Sequence, residues 1–178
     1  MQKFLSNIGT HIFLCKSGTG ITNEHELMFA TSLSGGDISV SVQKFNILAD
    51  EWEHQAQTTK SIADLSVELL RPAAGKYTGS IITGDTYSFL KHMVLVGDTT
   101  IAGDDRTIVI VRPRLNAESG AKEYEGIMYD CCLTGVQDGD TQPDGIQQYT
   151  ATFSLAEQPK PVTVTEQSGT FTFALQST

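Results

Sequence analysis

The sequence is short of cysteine, of positive charge and of long apolar runs, and each shortage closes a class of function. Its three cysteines, Cys15, Cys131 and Cys132, are an odd number, and the adjacent pair would point to opposite faces of a strand. They read as small buried residues of a reducing compartment rather than as a disulfide framework or a metal site. Twelve Lys and Arg stand against 21 Asp and Glu, a formal charge of -9 at pH 7. The chain as a whole therefore has no general attraction for phosphates or anionic headgroups, which disfavours a nucleic-acid clamp. No stretch approaches the roughly 20 apolar residues of a bilayer span, so no membrane insertion is expected. Ser6, Asn7, Gly9, Thr10 and His11 interrupt the apolar run that a signal peptide needs.

Catalytic and ligand-binding spacings are scarce too. There is no Gly-x-Ser-x-Gly, no His-Glu-x-x-His and no phosphate loop. Gly18 and Gly20 form a lone Gly-x-Gly that reads as a turn, and His11, His25, His54 and His92 are scattered with no Cys-x-x-Cys beside them. The acidic run Asp138, Asp140, Asp144 fails as a calcium loop: counted from Asp138, position 5 is Gln142, position 6 is Pro143 and position 12 is Tyr149. The carboxylate pairs Glu51/Glu53 and Asp104/Asp105 sit among polar residues, where nothing would shift their pKa for acid–base work. The expectation is a protein that is not an enzyme and uses no cofactor or metal.

What is present is 178 residues, enough for one domain, with 39% hydrophobic residues and a recurrent period of two. Ile38, Val40 and Val42 alternate with Ser39 and Ser41; the phase then moves by one, so that Phe45 and Ile47 continue it. That shift predicts a strand with a bulge near Gln43 or Lys44. Leu65, Val67 and Leu69 alternate up to Pro72, and residues 107–111 form a continuous β-branched run that predicts a strand buried on both faces. Ile127, Tyr129, Cys131 and Leu133 alternate, as do Tyr149, Ala151, Phe153 and Leu155, with a turn-rich segment at 135–145 between them. This predicts a long hairpin with a polar tip, or at least two neighbouring strands. Residues 162–165 and 171–175, parted by Gln167, Ser168 and Gly169, predict a terminal hairpin, an arm rather than core. Tyr87, Leu90, Met93 and Val94, with Asp85 or Thr86 to cap and Gly97 to end, predict one short amphipathic helix covering an open edge or end of the β-structure. Residues 49–61 are polar, hold the only tryptophan, Trp52, and join two good strands. They read as a long loop, with Trp52 either folded back on the core or anchoring a contact with another chain.

The order of these elements resembles the tail tube (major tail) protein of tailed bacteriophages, a relative of the haemolysin-coregulated tube protein of type VI secretion. The resemblance rests on the strand at 62–70 after a long polar loop, the helix at 85–96 after a Gly-rich turn, and the strand at 107–111. The sequences at 124–135 and 145–155 complete it. It implies an all-β fold, a β-sandwich or small β-barrel flanked by one short helix, as a tube-like domain over 1–160 with a C-terminal arm or extension at 161–178. It further implies stacked, typically hexameric rings that make a hollow conduit for DNA. The partners would be copies of the chain itself, other tail proteins such as tape measure, tail terminator and distal tail proteins, and double-stranded DNA in passage. The location would be a virion tail assembled in the bacterial host cytoplasm. Within that picture Glu51, Trp52, Glu53 and His54 would form an inter-ring contact, and Glu68, Asp130, Glu123 and Glu125 would give the lumen its acidity. A type VI-like secretion tube and a monomeric ligand-binding β-barrel are the alternatives.

Overall fold

A computed structural model describes residues 9–16, 26–27, 29–46, 53–71, 77–78, 83–84, 86–96, 106–116, 118–139 and 147–176. In chain order these form β1 (His11–Lys16), β2 (Ala30–Gly35), β3 (Ile38–Asn46), β4 (Glu53–Ile62) and β5 (Leu65–Leu70). The short β6 (Tyr77–Thr78) and β7 (Thr83–Gly84) precede the helix α1 (Thr86–Val96). β8 (Arg106–Leu115), β9 (Lys122–Asp138), β10 (Gln148–Leu155), β11 (Lys160–Gln167) and β12 (Thr170–Leu175) follow. The described residues form an all-β fold with one short helix, as the periodicity predicts.

The main sheet runs β1-β8-β9-β10-β5-β2, with the β11–β12 hairpin attached to β9, and its pairings are antiparallel. Its two ends are drawn together. The Leu27 amide donates to the Ile12 carbonyl at 2.7 Å and a lone bridge joins Phe13 to Glu26, just before the chain enters β2 at the opposite end of the sheet order. His11 Nδ1 meets the Glu26 carboxylate at 2.6 Å along the same seam. The sheet thus curls into a small barrel and protects most of its edges.

Alternation decides which residues fill it. Ile12 and Leu14, Leu65, Val67 and Leu69, Ile108 and Ile110, Tyr129 and Cys131, and Tyr149, Ala151, Phe153 and Leu155 form one buried cluster inside. Full burial of a side chain such as Phe153 contributes about 2–3 kcal/mol. A second cluster lies on the outer side of β1, β8 and β9, where Phe13, Val109, Val111 and Met128 pack beneath Val162 and Phe171 of the terminal hairpin. Phe13 meets Phe171 and Phe173 edge-on, at 5.7 and 5.1 Å between ring centroids. β8 therefore has core on both faces, which explains its unbroken β-branched run. Gly126 lets β11 approach β9 closely, since a Cβ there would lie 2.7 Å from Val164 Cγ2.

Three expectations change. Residues 53–62 are not loop but strand β4, paired along its length with β3. The backbone ladder satisfies the polar segment without any apolar pattern of its own. The bulge belongs to this partner strand: the register passes over Thr58 between Ser41 and Val42, so β3 stays regular. The terminal hairpin is not a free arm, because β11 pairs with β9 from Lys160 to Thr163 and buries Val162 and Phe171. Trp52 and Glu51, and the capping positions Asp85 and Gly97, lie outside the described residues.

Candidate functional site

Among the described residues no group of three or more His, Cys, Asp or Glu could hold a metal ion, and no helix is long and apolar enough to cross a membrane. Of the adjacent cysteines expected to be buried, Cys131 is buried but Cys132 is exposed, because strand alternation turns it to the opposite face of β9. What the fold presents to its surroundings is two structures at opposite ends of the barrel.

The first is the β3–β4 ribbon, a separate two-stranded sheet. It continues the β2–β5 pairing outward: Gly36 donates to the Ala63 carbonyl at 3.2 Å and Ala63 donates to the Asp37 carbonyl at 3.0 Å. The bend is fixed at Gly35, whose φ is +94°; a Cβ there would fall 1.8 Å from the Asp64 carbonyl oxygen. Beyond the bend Ile38, Val40 and Val42 are 55%, 41% and 49% exposed. Ile62 stands opposite Ile38 and Lys60 opposite Val40, so all of these share one face. A two-stranded ribbon with an apolar face in water is marginal by itself. At its base a groove of about 370 Å³ is lined by Ile38, Val40, Lys60, Ile62, Ala156 and Pro159.

The second structure is helix α1. Tyr87, Leu90 and Met93 drive its inner face into the barrel cluster, and a polar latch holds it to the end of β9. The Tyr87 hydroxyl donates to the Asp138 carboxylate, and the Lys91 ammonium donates to Tyr87 at 2.6 Å and to Asp138 at 3.2 Å. The Arg71 guanidinium lies 4.3 Å from the centre of the Tyr87 ring, and Tyr149 meets that ring edge-on at 5.1 Å. The hydrogen bond from Tyr87, then that from Lys91, holds the Asp138 carboxyl below its ordinary pKa. The same contacts, with Tyr87 first and Asp138 next, raise that of Lys91. On the outer side Val94 and Leu95 are exposed, Leu95 by 74%.

The four acidic residues picked out by sequence do not share a face. Glu68 is exposed on the outer side of β5 opposite Thr150, between the inward Val67 and Leu69. Asp130 is also outward, on β9, where it accepts from Lys160 at 2.7 Å and from the Thr107 hydroxyl at 3.3 Å. The hydrogen bond that Lys160 donates to Asp130, followed by the one it donates to Glu157, raises the Lys160 pKa. Glu123 and Glu125 belong to the other row of β9, the one that Ile127 and Tyr129 continue into the barrel. They stand opposite Arg114 and Arg112, and Asn116 donates to Glu123 at 2.6 Å. Of the expected contact residues, Glu53 and His54 begin β4 opposite Asn46 and Phe45, and Glu51 and Trp52 lie outside the described residues. Sequence reasoning missed the exposed face of β3 and the outer side of α1. The alternation at 38–42 was the signal, but nothing in it told a core from a docking face.

No protein-family model and no curated sequence matches the chain significantly. Its fold is similar to solved structures. A chain of the anti-feeding prophage baseplate, 6-fold symmetrised, is 11% identical with a TM-score of 0.60, over 92% of this chain and 98% of that one. A chain of the anti-feeding prophage cap, described as tube-terminating, is 11% identical with a TM-score of 0.61, over 92% of this chain and 93% of that one. A chain of the PVC sheath/tube terminator, from an extracellular contractile injection system in its extended state, is 9% identical with a TM-score of 0.61, over 90% and 97%. This chain therefore has the fold found in tube, cap and baseplate assemblies of contractile injection systems.

Proposed function

We propose that the protein is a structural subunit of a tail-like particle, the building block of stacked, sixfold rings that enclose a hollow conduit. The observation that carries this reading is the ribbon: a strand pair with an apolar face about half exposed projects from the barrel beyond the Gly35 bend, and contact with other subunits would complete its burial. The likeness in fold to chains of a sixfold baseplate and of tube terminators supports the same assignment. The major tail tube of a phage, conducting DNA, is the specific form of the proposal. Tape measure, terminator and distal tail proteins would be its partners, and the virion tail, assembled in host cytoplasm, its location.

An acidic lumen suits that role, because carboxylates repel phosphates over a Debye length of about 8 Å and leave the duplex free to slide. Glu68 with Asp130, or Glu123 with Glu125, are the two faces from which the wall would be drawn. The role is structural rather than catalytic. A ligand-binding barrel would need an open interior, whereas Leu65, Val67, Leu90, Ile108 and Phe153 fill this one. A secretion tube would share every feature named and differ only in cargo and partners.

Negative-stain electron microscopy of the purified protein across a concentration series, with light scattering for mass, tests the proposal. Rings or hollow tubes are expected. A monomer that persists at every concentration and binds an apolar probe tightly would reverse it.

A further inference from the structure

An open sheet edge is a template for another strand, and the edges of this fold are guarded unequally. β2 is broken by a register shift between Ala30 and Ser32, and β1 is met by residues 26–27. β3 and β4 carry Lys44 and Lys60. β12 (Thr170–Leu175) has none of these devices. Among the described strands it pairs with β11 alone, and residues 168–178 contain neither a charged residue nor a proline.

The register shows which backbone groups this edge leaves over. β11 and β12 are joined by a turn at Ser168 and Gly169, whose φ angles of 53° and 81° suit a tight two-residue hairpin. At the far end of the hairpin the Gln176 amide donates to the Pro161 carbonyl at 3.3 Å. Bonded and non-bonded pairs alternate along an antiparallel ladder. Thr172 and Ala174 therefore turn their amides and carbonyls toward β11, whereas Phe171, Phe173 and Leu175 turn theirs away from it. The Leu175 side chain is 60% exposed as well.

We propose that this edge pairs with β12 of a second copy of the chain, antiparallel about a two-fold axis at Phe173. The side chains select a copy of the same strand. With Phe173 opposite its own equivalent, Phe171 falls opposite Leu175 of the second copy and Thr172 opposite its Ala174. The apolar row then continues on one face and the small, polar row on the other. Like charges set opposite one another are the usual obstacle to self-pairing, and β12 has none. The contact is isologous, the same patch on both copies, and its members run in opposite directions. It is thus no step in a one-way stack of rings, and it does not rest on the tube reading. It is the state in which an unassembled subunit keeps its bare edge covered.

Sedimentation velocity of the full chain, at concentrations below those that give rings or tubes, is expected to show a monomer–dimer equilibrium. Leu175→Pro removes an outward amide and no bond to β11, so it is expected to raise the dimer dissociation constant more than about tenfold with an unchanged circular dichroism melt. Hydrogen exchange on the parent chain gives a second reading that needs no variant. The Phe171, Phe173 and Leu175 amides are expected to exchange at least about tenfold more slowly as concentration drives pairing, with Thr172 and Ala174 protected in monomer and dimer alike. A chain that stays monomeric, or a dimer in which the Phe173 amide exchanges as fast as in the monomer, would overturn the pairing. Tubes that form without this dimer would overturn it too and leave the tube function standing. A dimer protected at Phe173, with no rings at any concentration, would support the pairing and overturn the tube reading.

Discussion

β3 and β5 are written in nearly the same pattern and meet opposite fates. Ile38, Val40 and Val42 alternate with polar residues just as Leu65, Val67 and Leu69 do, yet the first three are 55%, 41% and 49% exposed and the second three are 1%, 0% and 0%. Both strands belong to one long antiparallel ladder, divided at the bend around Gly35. On one side of the bend the chain's own β8, β9 and β10 complete the core; on the other Ile62 packs against that core while Ile38, Val40 and Val42 stay about half exposed. Period two declares that a face is meant for burial, and only tertiary structure says whether the burial is internal or awaits another molecule.

The difference can be broken most severely from the barrel side. Phe153→Ala removes a wholly buried ring and is expected to cost about 3–5 kcal/mol in urea unfolding; a cost below about 1 kcal/mol would mean that the interior is not a packed core. Next in size is the bend itself. Gly35→Ala puts a Cβ against the Asp64 carbonyl at a φ of +94°, and a loss of about 1–3 kcal/mol is expected. Broadening of the Ile38 and Ile62 resonances in NMR spectra should accompany it, because the ribbon must re-aim to relieve the clash. The ribbon face should behave in the reverse way to the core. Val40→Asp is expected to change monomer stability by no more than about 0.5 kcal/mol while abolishing higher-order species in sedimentation; a large stability loss would place that face against the subunit's own core.

The smallest effect concerns the helix latch. The Asp138 pKa is lowered in the folded protein, so its stabilising contribution is present above the ordinary carboxylate range, near pH 4, and is lost as pH falls through the lowered value. The Lys91 pKa is raised, and its contribution persists until pH rises past 10.5. Amide-exchange protection at Leu90 is therefore expected to hold at neutral pH and to fall modestly below pH 4. In Asp138→Asn that acid-side step should vanish, and a step of unchanged size would assign it to another group.

Much of the scaffold was legible because local pattern and final burial agree. The buried run at 107–111, the β9–β10 hairpin, the helix at 86–96 and the strand at 65–70 all lie where period and turn residues place them. β4 was not legible: Glu53, His54, Gln55, Ala56, Gln57, Thr58, Thr59 and Lys60 carry no apolar alternation, since this strand is held by its ladder to β3 rather than by a core. The terminal hairpin was visible as strands but not as a lid, because the face it covers belongs to residues more than thirty positions earlier in the chain. The acidic candidates could be assigned to strands but not to a common side. Glu68 and Asp130 lie on the outward row and Glu123 and Glu125 on the other, a consequence of barrel register rather than of local sequence.

That lid has a consequence for the order of folding. Val162 and Phe171 cover Phe13, Val109, Val111 and Met128, so a folding intermediate in which β10 has joined the sheet but the hairpin has not yet docked would carry an oily flank. During that interval the flank, not the ribbon, is the stickiest surface the molecule presents, and chance contacts there would compete with ordered growth. Folding the hairpin down removes the competitor, leaving the ribbon face exposed. Subunits whose synthesis is cut short before residue 160 should accordingly be recognised by chaperones and proteases rather than incorporated, so that completion of the hairpin acts as a release check on each building block.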